Sequence, residues 1–351
     1  MSLADLAINW TEQGFVPDAA IRAGIRRLIR QRKDEICAGG AGAMAERAEA
    51  FAAGMDAAPI ALLPQMANEQ HYEVPAAFYA LALGNARKYS CCLWGDGVTT
   101  LDAAESAALR ATCERAGIED GMSILELGCG WGSLTLWMAA HYPGSRVTAV
   151  SNSQSQRDYI VAEAARRGLA NVTVLTADMN AFAIQERFDR VMSVEMFEHM
   201  RNWRALFSRV AGWLAPGGRF FMHVFAHRAV PYAYEVRDES DWMSRHFFSG
   251  GMMPCDDLPL RFQDDLCAIR RWRWDGTHYE RTSNAWLVNL DAHRDEALAV
   301  LAGVYGADAA GQWLQRWRIF FMACAELFAF DHGQEWWVSH TLFERRADQD
   351  R

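Results

Sequence analysis

The chain has 351 residues, of which 51% are hydrophobic and 23% charged, and its formal net charge at pH 7 is −9. This hydrophobic fraction predicts a large folded core and excludes a chain that is disordered over most of its length. The negative charge argues against a nucleic-acid-binding protein, and no apolar run of the sequence approaches the ~20 residues of a membrane-spanning helix.

Residues 1–115 are expected to form a helical N-terminal region or lid. Within it, residues 20–33 place isoleucines and a leucine on one face of a predicted helix and arginines on the opposite face. Two interpretations of this basic amphipathic helix are open. It either lies on an anionic membrane surface, or it packs on the protein with its basic face in solvent.

The eight cysteines of the chain show no CxxC pair and no Cys/His spacing typical of a zinc site. We therefore expect free thiols and no metal ion. The first ten residues lack the basic stretch and apolar run of a secretory signal. Together these features predict a cytoplasmic protein.

Strands and helices alternate from residue 120 onwards. The predicted strands cover residues 122–127, 146–150, 172–176, 188–194 and 219–225. This alternation predicts an α/β fold with a doubly wound, mostly parallel sheet, whose core we assign to residues 116–228. Residues 229–351 are expected to supply an insertion that covers the substrate and two strands that close the sheet, at Leu266–Trp274 and Trp336–Arg345.

A glycine-rich loop, LELGCGWG at residues 125–132, follows the first predicted strand. Glycines allow sharp turns and close approach of a ligand, and the next helix offers free N–H groups. A nicotinamide-dinucleotide loop has the spacing GxGxxG and an acidic residue about 20 positions later. Here Gly132 comes one position early, the second strand ends in Ser151-Asn152, and Glu126 suits a cationic ligand. The loop therefore favours a methyltransferase over a dehydrogenase.

Asp178 follows the third predicted strand. Its carboxylate is expected to accept a hydrogen bond from an adenine amino group. The alternative is that it caps the N-terminus of a helix.

Glu195, Glu198 and His199 follow the fourth predicted strand, at the edge of the sheet where ligands bind in such folds. If this segment is helical, their i, i+3, i+4 spacing places them on one face. His199 is the candidate base because imidazole titrates near neutral pH, and either glutamate could raise its basicity or hold a cationic substrate. The alternative is a solvated charged turn in which His199 only caps the next helix.

Aromatic side chains are concentrated between residues 313 and 337. Most have helical spacing, so they form either part of the core or a pocket for an aromatic amine, which would gain cation–π contacts. These residues are Trp313, Trp317, Phe320, Phe321, Phe328, Phe330, Trp336 and Trp337.

Six blocks of the sequence resemble the coclaurine N-methyltransferase branch of the cyclopropane fatty acid synthase superfamily. They are 68–75 (NEQHYEVP), 88–92 (KYSCC), 125–133 (LELGCGWGS), 195–200 (EMFEHM), 247–254 (FFSGGMMP) and 335–336 (EW). The resemblance implies a class I Rossmann-like methyltransferase fold with a helical N-terminal region and a helical insertion. It also implies S-adenosylmethionine as cofactor and a small, aromatic or alkaloid-like amine as substrate. A homodimer is compatible with it.

The resemblance assigns roles to individual residues. It implies catalytic roles for Glu195, Glu198 and His199, with Glu198-His199 as the base. It implies cofactor contacts at Tyr89, Ser90, Gly128, Asn152, Gln156, Asp178 and Met179. The position of Gly130 in the glycine-rich loop predicts a cofactor contact there as well.

The same superfamily leaves a second function open. Cyclopropane-fatty-acyl-phospholipid synthases add a methylene group to unsaturated lipid acyl chains and hold a bicarbonate as base. Their bicarbonate-site positions would fall on Cys91, Glu198, His223 and Tyr279. Those synthases carry Gly where this chain has Glu195, so the amine is the preferred substrate and the lipid the alternative. A cofactor-binding regulator without catalytic activity is a third hypothesis.

Overall fold

The computed structural model describes residues 3–62, 74–236 and 241–346, with side chains from residue 6 onwards. Residues 68–73 of the first family-like block lie outside the described residues. No helix of the described part of the chain is long and apolar enough to cross a membrane.

The strands lie close to their predicted positions. In chain order they are β1 (Ser123–Leu127), β2 (Arg146–Ser151), β3 (Val172–Thr176), β4 (Phe188–Val194), β5 (Leu214–His227), β6 (Tyr232–Ala233), β7 (Met252–Met253), β8 (Leu266–Trp274) and β9 (Trp336–Arg345).

Seven of these strands form the main sheet, in the order β3-β2-β1-β4-β5-β9-β8, and β6 pairs with β7 alone. Strands β1 to β5 are parallel, and β9 runs antiparallel to both β5 and β8. The predicted mostly parallel, doubly wound sheet is therefore confirmed. A parallel sheet needs cover on both faces, which explains why the residues of β4 are buried or partly buried on both of its faces.

The helices cover both faces of the sheet and extend beyond its edge. They are α1 (Leu3–Glu12), α2 (Asp18–Ile36), α3 (Gly40–Met55), α4 (Ala76–Ala82), α5 (Leu101–Ala116), α6 (Ser133–His141), α7 (Gln154–Arg166), α8 (Trp203–Trp213), α9 (Trp242–His246), α10 (Gly276–Ala292), α11 (Arg294–Tyr305) and α12 (Ala307–Ala329). Helices α5 and α6 pack on one face of the central strands, and α8 packs on the other.

The start of β5 differs from the prediction. Leu214 already pairs with Phe188, and the pairing then resumes at Arg219 opposite Arg190. Pro216-Gly217-Gly218, which precedes the strand predicted at 219–225, is therefore an irregularity inside β5. Gly217 has a φ of +75°, which an L-side chain rarely adopts.

Helix α2 packs on α12, and its basic side chains are used in doing so. Arg22 and Arg26 each lie 2.9 Å from a carboxylate oxygen of Glu326 on α12. Towards the end of α2, Arg32 pairs with Asp241, and Lys33 pairs with Glu335. This geometry fits the interpretation in which the helix packs on the protein. Much of its basic face, however, pairs with carboxylates of the protein and does not face solvent.

Candidate active site

Two adjoining cavities open at the carboxyl ends of the parallel strands. The first, here called the aromatic cavity, is lined by Phe225, Tyr234, Phe248, Tyr279, Trp286, Phe320 and Phe328 among others. The second, here called the polar cavity, is lined by Ser151, Asn152, Asp178, Met179 and Ser249 among others. Gly128, Gly130, Gln156, Glu195 and His199 line both.

The three glycines of the loop after β1 have positive φ angles of 77°, 51° and 78°. A Cβ on Gly128 would lie 2.6 Å from Met196, and one on Gly132 would lie 2.6 Å from Ile160. A Cβ on Gly130 would meet no atom within 4 Å, and this glycine lines both cavities. Gly128 and Gly132 are thus required by packing, whereas Gly130 leaves room for a ligand.

All eight residues that were expected to contact the cofactor line these cavities. Tyr89 and Ser90 face the aromatic cavity, and Asn152, Asp178 and Met179 face the polar one. The remaining three, Gly128, Gly130 and Gln156, lie where the two cavities meet.

Two buried polar atoms at the cavities have no hydrogen-bond partner in the described part of the chain, Gln156 Nε2 and Trp131 Nε1. The Oε1 atom of the same glutamine accepts a hydrogen bond from Ser151 Oγ, at 2.7 Å. Buried donors are rarely unpaired in proteins, so the site suits a ligand that carries acceptor atoms. S-adenosylmethionine, which has a carboxylate, ribose hydroxyls and an adenine ring, fits this requirement.

Glu126 supplies a carboxylate beside the glycine loop, on the wall of the aromatic cavity. It is 2% exposed, and Thr135 Oγ1 donates to its Oε2 atom. Burial raises the pKa of Glu126 to about 8. A cationic ligand nearby would stabilise its ionised form, which agrees with the expectation from the sequence.

The position of Asp178 bears on both roles considered for it. Its Oδ1 atom accepts from the backbone N–H of Asn180 at 2.8 Å, and its carbonyl accepts from the N–H groups of Ala181 and Phe182. It therefore caps a turn, and it also lines the polar cavity.

Glu195 lies at the centre of the site. It directly follows β4 with a φ of +49°, which an L-residue rarely adopts. Its Oε1 atom accepts from the Cys91 backbone N–H at 2.9 Å and lies 3.1 Å from His223 Nε2. Its Oε2 atom accepts from Tyr279 Oη at 2.7 Å. The three neighbours of this carboxylate, Cys91, His223 and Tyr279, are the ones that the family resemblance assigned to a bicarbonate site.

Lys88 is a residue of the site that the sequence alone did not indicate. It is only 2% exposed, and its Nζ donates to Ser90 Oγ and to the carbonyl of Cys91. Burial raises the pKa of Glu195, and the positive charge of Lys88 opposes that shift. Lysines are seldom buried, so nothing in the sequence marked this one, although it stands in the 88–92 block.

Glu198 and His199 are not on a shared helical face with Glu195. A short 3₁₀ turn, Phe197–His199, replaces the expected helix. Glu198 is fully buried, lines neither cavity and accepts from the backbone N–H of Phe225 at 2.8 Å. Burial, reinforced by the nearby charge of Glu195, raises its pKa well above the usual range.

His199 lies at the junction of the two cavities. Its ring centroid is 4.6 Å from that of Phe248, in the segment after α9. Its positive charge, when protonated, would stabilise the ionised form of Glu195. The glutamate that reaches the cavities together with His199 is therefore Glu195, whereas Glu198 lines neither cavity.

The aromatic residues near the C-terminus divide between the two roles considered for them. Trp317 and Phe321 on α12 are fully buried in the core. Phe320 and Phe328, on the same helix, are buried and also line the aromatic cavity. Core packing thus positions the rings that form the cavity wall.

Cys37, His227 and Glu335 bring three potential metal-binding atoms within 4.8 Å of one another, away from both cavities. His227 Nδ1 accepts from two backbone N–H groups, so its proton is on Nε2, which lies 3.0 Å from Glu335 Oε1. A metal ion would need the lone pair of that nitrogen. The Nζ atom of Lys33 also lies 3.1 Å from Glu335 Oε2. The cluster therefore fits a hydrogen-bonded ion pair better than a metal site.

Residues 64–336 match the family described as mycolic acid cyclopropane synthetase. The chain is 37% identical to (S)-coclaurine N-methyltransferase of Thalictrum flavum subsp. glaucum, over 95% of this chain and 94% of that protein. It is 28% identical to cyclopropane-fatty-acyl-phospholipid synthase of Escherichia coli (strain K12), over 77% of this chain and 66% of that protein. A crystal structure of coclaurine N-methyltransferase bound to N-methylheliamine and SAH is similar with a TM-score of 0.94 and 34% identity, over 98% of this chain and 100% of that chain.

Proposed function

The chain belongs to the mycolic acid cyclopropane synthetase family, in the branch of the coclaurine N-methyltransferases, and we propose that it methylates the nitrogen of a small aromatic amine. It is an S-adenosylmethionine-dependent methyltransferase. The cofactor supplies an electrophilic methyl group on a sulfonium sulfur. The aromatic cavity, which adjoins the cofactor-binding residues and has a carboxylate on its wall, suits a flat, apolar, cationic substrate.

The chemistry of the acceptor requires a free lone pair on its nitrogen, and a protonated amine has none. In our proposal the Glu195 carboxylate holds the incoming ammonium, and the His199 imidazole accepts its proton. Both groups lie at the junction of the cavities, where the methyl group must be transferred. Glu198 is assigned a structural role, because it is buried behind them.

The neighbours of Glu195 favour an amine over a lipid as the substrate. Cys91, His223 and Tyr279 were implied as partners of a bicarbonate, and all three surround the carboxylate of Glu195. A side chain of this protein therefore fills the place of the anion. A carboxylate on the wall also disfavours an apolar alkene, since such a ligand would desolvate the charge without offering it a hydrogen bond.

The proposal is tested by assaying methyl transfer to a panel of benzylisoquinoline-like amines and to vesicles of unsaturated phospholipid. We expect methylated amines and no modified acyl chains. Added bicarbonate should leave the rate unchanged. Cyclopropanated or methylated lipid, formed faster in the presence of bicarbonate, would contradict the proposal.

The role of His199 is tested by its pH dependence. His199→Ala should lower the rate of amine methylation by about 10²–10⁴-fold near neutral pH, because more substrate stays protonated. Raising the pH towards the pKa of the amine should restore part of the rate, since solvent then removes the proton. A loss that is the same at every pH would instead assign His199 a structural role.

We also propose a cytoplasmic location. The eight cysteines are unpaired in the structure, and most are buried. Free thiols of this kind persist in a reducing compartment.

A further inference from the structure

A line of buried hydrogen-bonding side chains leads from Glu195 away from both cavities. His223 on β5 and His340 on β9 are directly opposite each other in the antiparallel pair, and both are fully buried. His340 Nε2 lies 2.9 Å from His223 Nδ1, and His223 Nε2 lies 3.1 Å from Glu195 Oε1. Arg115, at the end of α5, completes the line with its Nη1 atom 2.5 Å from His340 Nδ1.

The chemistry of Arg115 gives this line one direction. A guanidinium group only donates hydrogen bonds, so His340 Nδ1 must accept. A neutral imidazole that accepts at Nδ1 carries its proton on Nε2, so His340 donates to His223 Nδ1. By the same logic His223 carries its proton on Nε2 and donates to Glu195. The donor character of Arg115 therefore sets the direction of all three hydrogen bonds.

The surroundings keep both imidazoles neutral, as this logic requires. Burial lowers the pKa of His223 and of His340 well below the usual range, and the positive charges of Arg115 and Lys88 lower both further. The indole ring of Trp274 lies 4.4 Å from the ring of His340 and helps to cover the line. Burial lowers the pKa of Arg115 only to about 10, so it stays charged at neutral pH.

We propose that Arg115 is a positioning residue for the reaction: through His340 and His223 it orients a hydrogen bond onto Glu195 and so keeps this side chain an ionised acceptor that faces the substrate. The inference rests on the proposed function for its consequence in catalysis, but the hydrogen-bond direction does not depend on it. Arg115 itself lines neither cavity.

Without the guanidinium, the opposite direction becomes available. His340 can then carry its proton on Nδ1, His223 can accept at Nε2, and a protonated Glu195 can donate to it. The other groups around Glu195 are unchanged: the Cys91 N–H, Tyr279 Oη, the Lys88 ammonium, the Glu198 carboxyl group and the His199 imidazole. Loss of Arg115 should therefore raise the pKa of Glu195.

The kinetic test compares Arg115→Met with Arg115→Lys, which retains a cationic donor. Arg270→Met is the matched control, because Arg270 lies over the same Trp272 ring as Arg115 but is outside the line. Arg115→Met should lower kcat for the amine about 10- to 100-fold, as loss of a supporting hydrogen bond does behind a metal-bound histidine. The KM for the cofactor should not change, and the acidic limb of the pH–rate profile should move to higher pH. Arg115→Lys should partly restore kcat and the position of the acidic limb, and Arg270→Met should match the wild type in both.

The direct test needs neither substrate nor variant activity. In the ¹⁵N-histidine-labelled wild-type protein, long-range ¹H–¹⁵N spectra should show His223 and His340 neutral and protonated on Nε2 from about pH 6 to 8, with His340→Gln used for assignment. A proton on Nδ1 of either ring would overturn the proposal, as would wild-type kcat and pH profile in a folded Arg115→Met protein. Failure to find any amine substrate would leave these spectra unaffected, so the two proposals fail separately.

Discussion

At the scale of single residues, Glu195 and Glu198 are three positions apart yet have different surroundings. The Glu195 carboxylate is held by three donor groups and faces both cavities. The Glu198 side chain is enclosed beside β5, where burial favours its neutral form. The two residues should therefore respond differently to the same substitution.

We expect Glu195→Gln to lower the rate of methyl transfer by at least about 100-fold, because an amide cannot hold an ammonium group or support a base nearby. Glu198→Gln keeps the shape of a side chain whose burial favours the neutral form, so this variant should retain most of the rate. Affinity for S-adenosylmethionine, measured by calorimetry, should change little in either variant. Equal losses in the two variants would contradict the assignment.

The sequence brought Glu195, Glu198 and His199 to the correct edge of the sheet, but it did not show which glutamate faces the cavities. That choice depends on the positive φ of Glu195 and on the 3₁₀ turn after it. Both are set by the strands and side chains around the turn. The spacing of Glu195, Glu198 and His199 predicted a helix, so it indicated neither the positive φ nor the 3₁₀ turn.

At the scale of the elements, the loop between β1 and α6 supports the most direct prediction. Gly130→Val should weaken S-adenosylmethionine binding. The valine side chain would occupy the empty space beside Gly130, where the two cavities meet. Gly168→Val is the matched control. Gly168 also has a positive φ, of 69°, and no atom within 4 Å of its Cβ position, but it lies after α7, away from the cavities.

Both variants should lose stability to a similar degree, about 1–2 kcal/mol from the left-handed backbone conformation. Only Gly130→Val should lose cofactor affinity. Calorimetric titration of both proteins provides the measurement. Equal affinities would show that the loop does not contact the cofactor.

The positions of the strands were the most predictable part of the structure. The strands predicted at 172–176, 188–194, 266–274 and 336–345 have the same bounds in the structure. Each is rich in apolar, aromatic or β-branched residues and lies between turn or helix signals, so local sequence suffices to find it. The ion-pair partners of α2 were not predictable, because Arg22 and Glu326 are about 300 residues apart in the chain.

At the scale of the whole molecule, both ends of the chain meet around the central sheet. Helix α2 pairs with α12 through Glu326 and with Glu335, the residue directly before β9. Glu335 is fully buried, between Lys33 and His227. It therefore joins the N-terminal region to the closing strands.

Glu335→Gln should lower the free energy of unfolding by about 1–3 kcal/mol, because it removes a buried charge-assisted contact. Glu163→Gln on α7 serves as the control. Glu163 pairs with Arg166 and Arg167 near the surface, where such pairs contribute less than about 1 kcal/mol. Urea denaturation of the two variants measures the difference. A larger loss in the control would mean that Glu335 does not join the two parts.

The strand order also has a consequence for biosynthesis. Among the described residues, β9 is the strand that covers the outer edge of β5, with pairs from Arg219↔Glu344 to His227↔Trp336. More than a hundred residues separate the two strands, so at typical translation rates of ~5–20 residues per second the edge of β5 stays uncovered for roughly 6–24 s. During this time the nascent chain exposes an unpaired strand next to an apolar face, a surface to which chaperones bind and at which nascent chains aggregate. Ribosome pausing between the codons for β5 and β9 would lengthen this exposure.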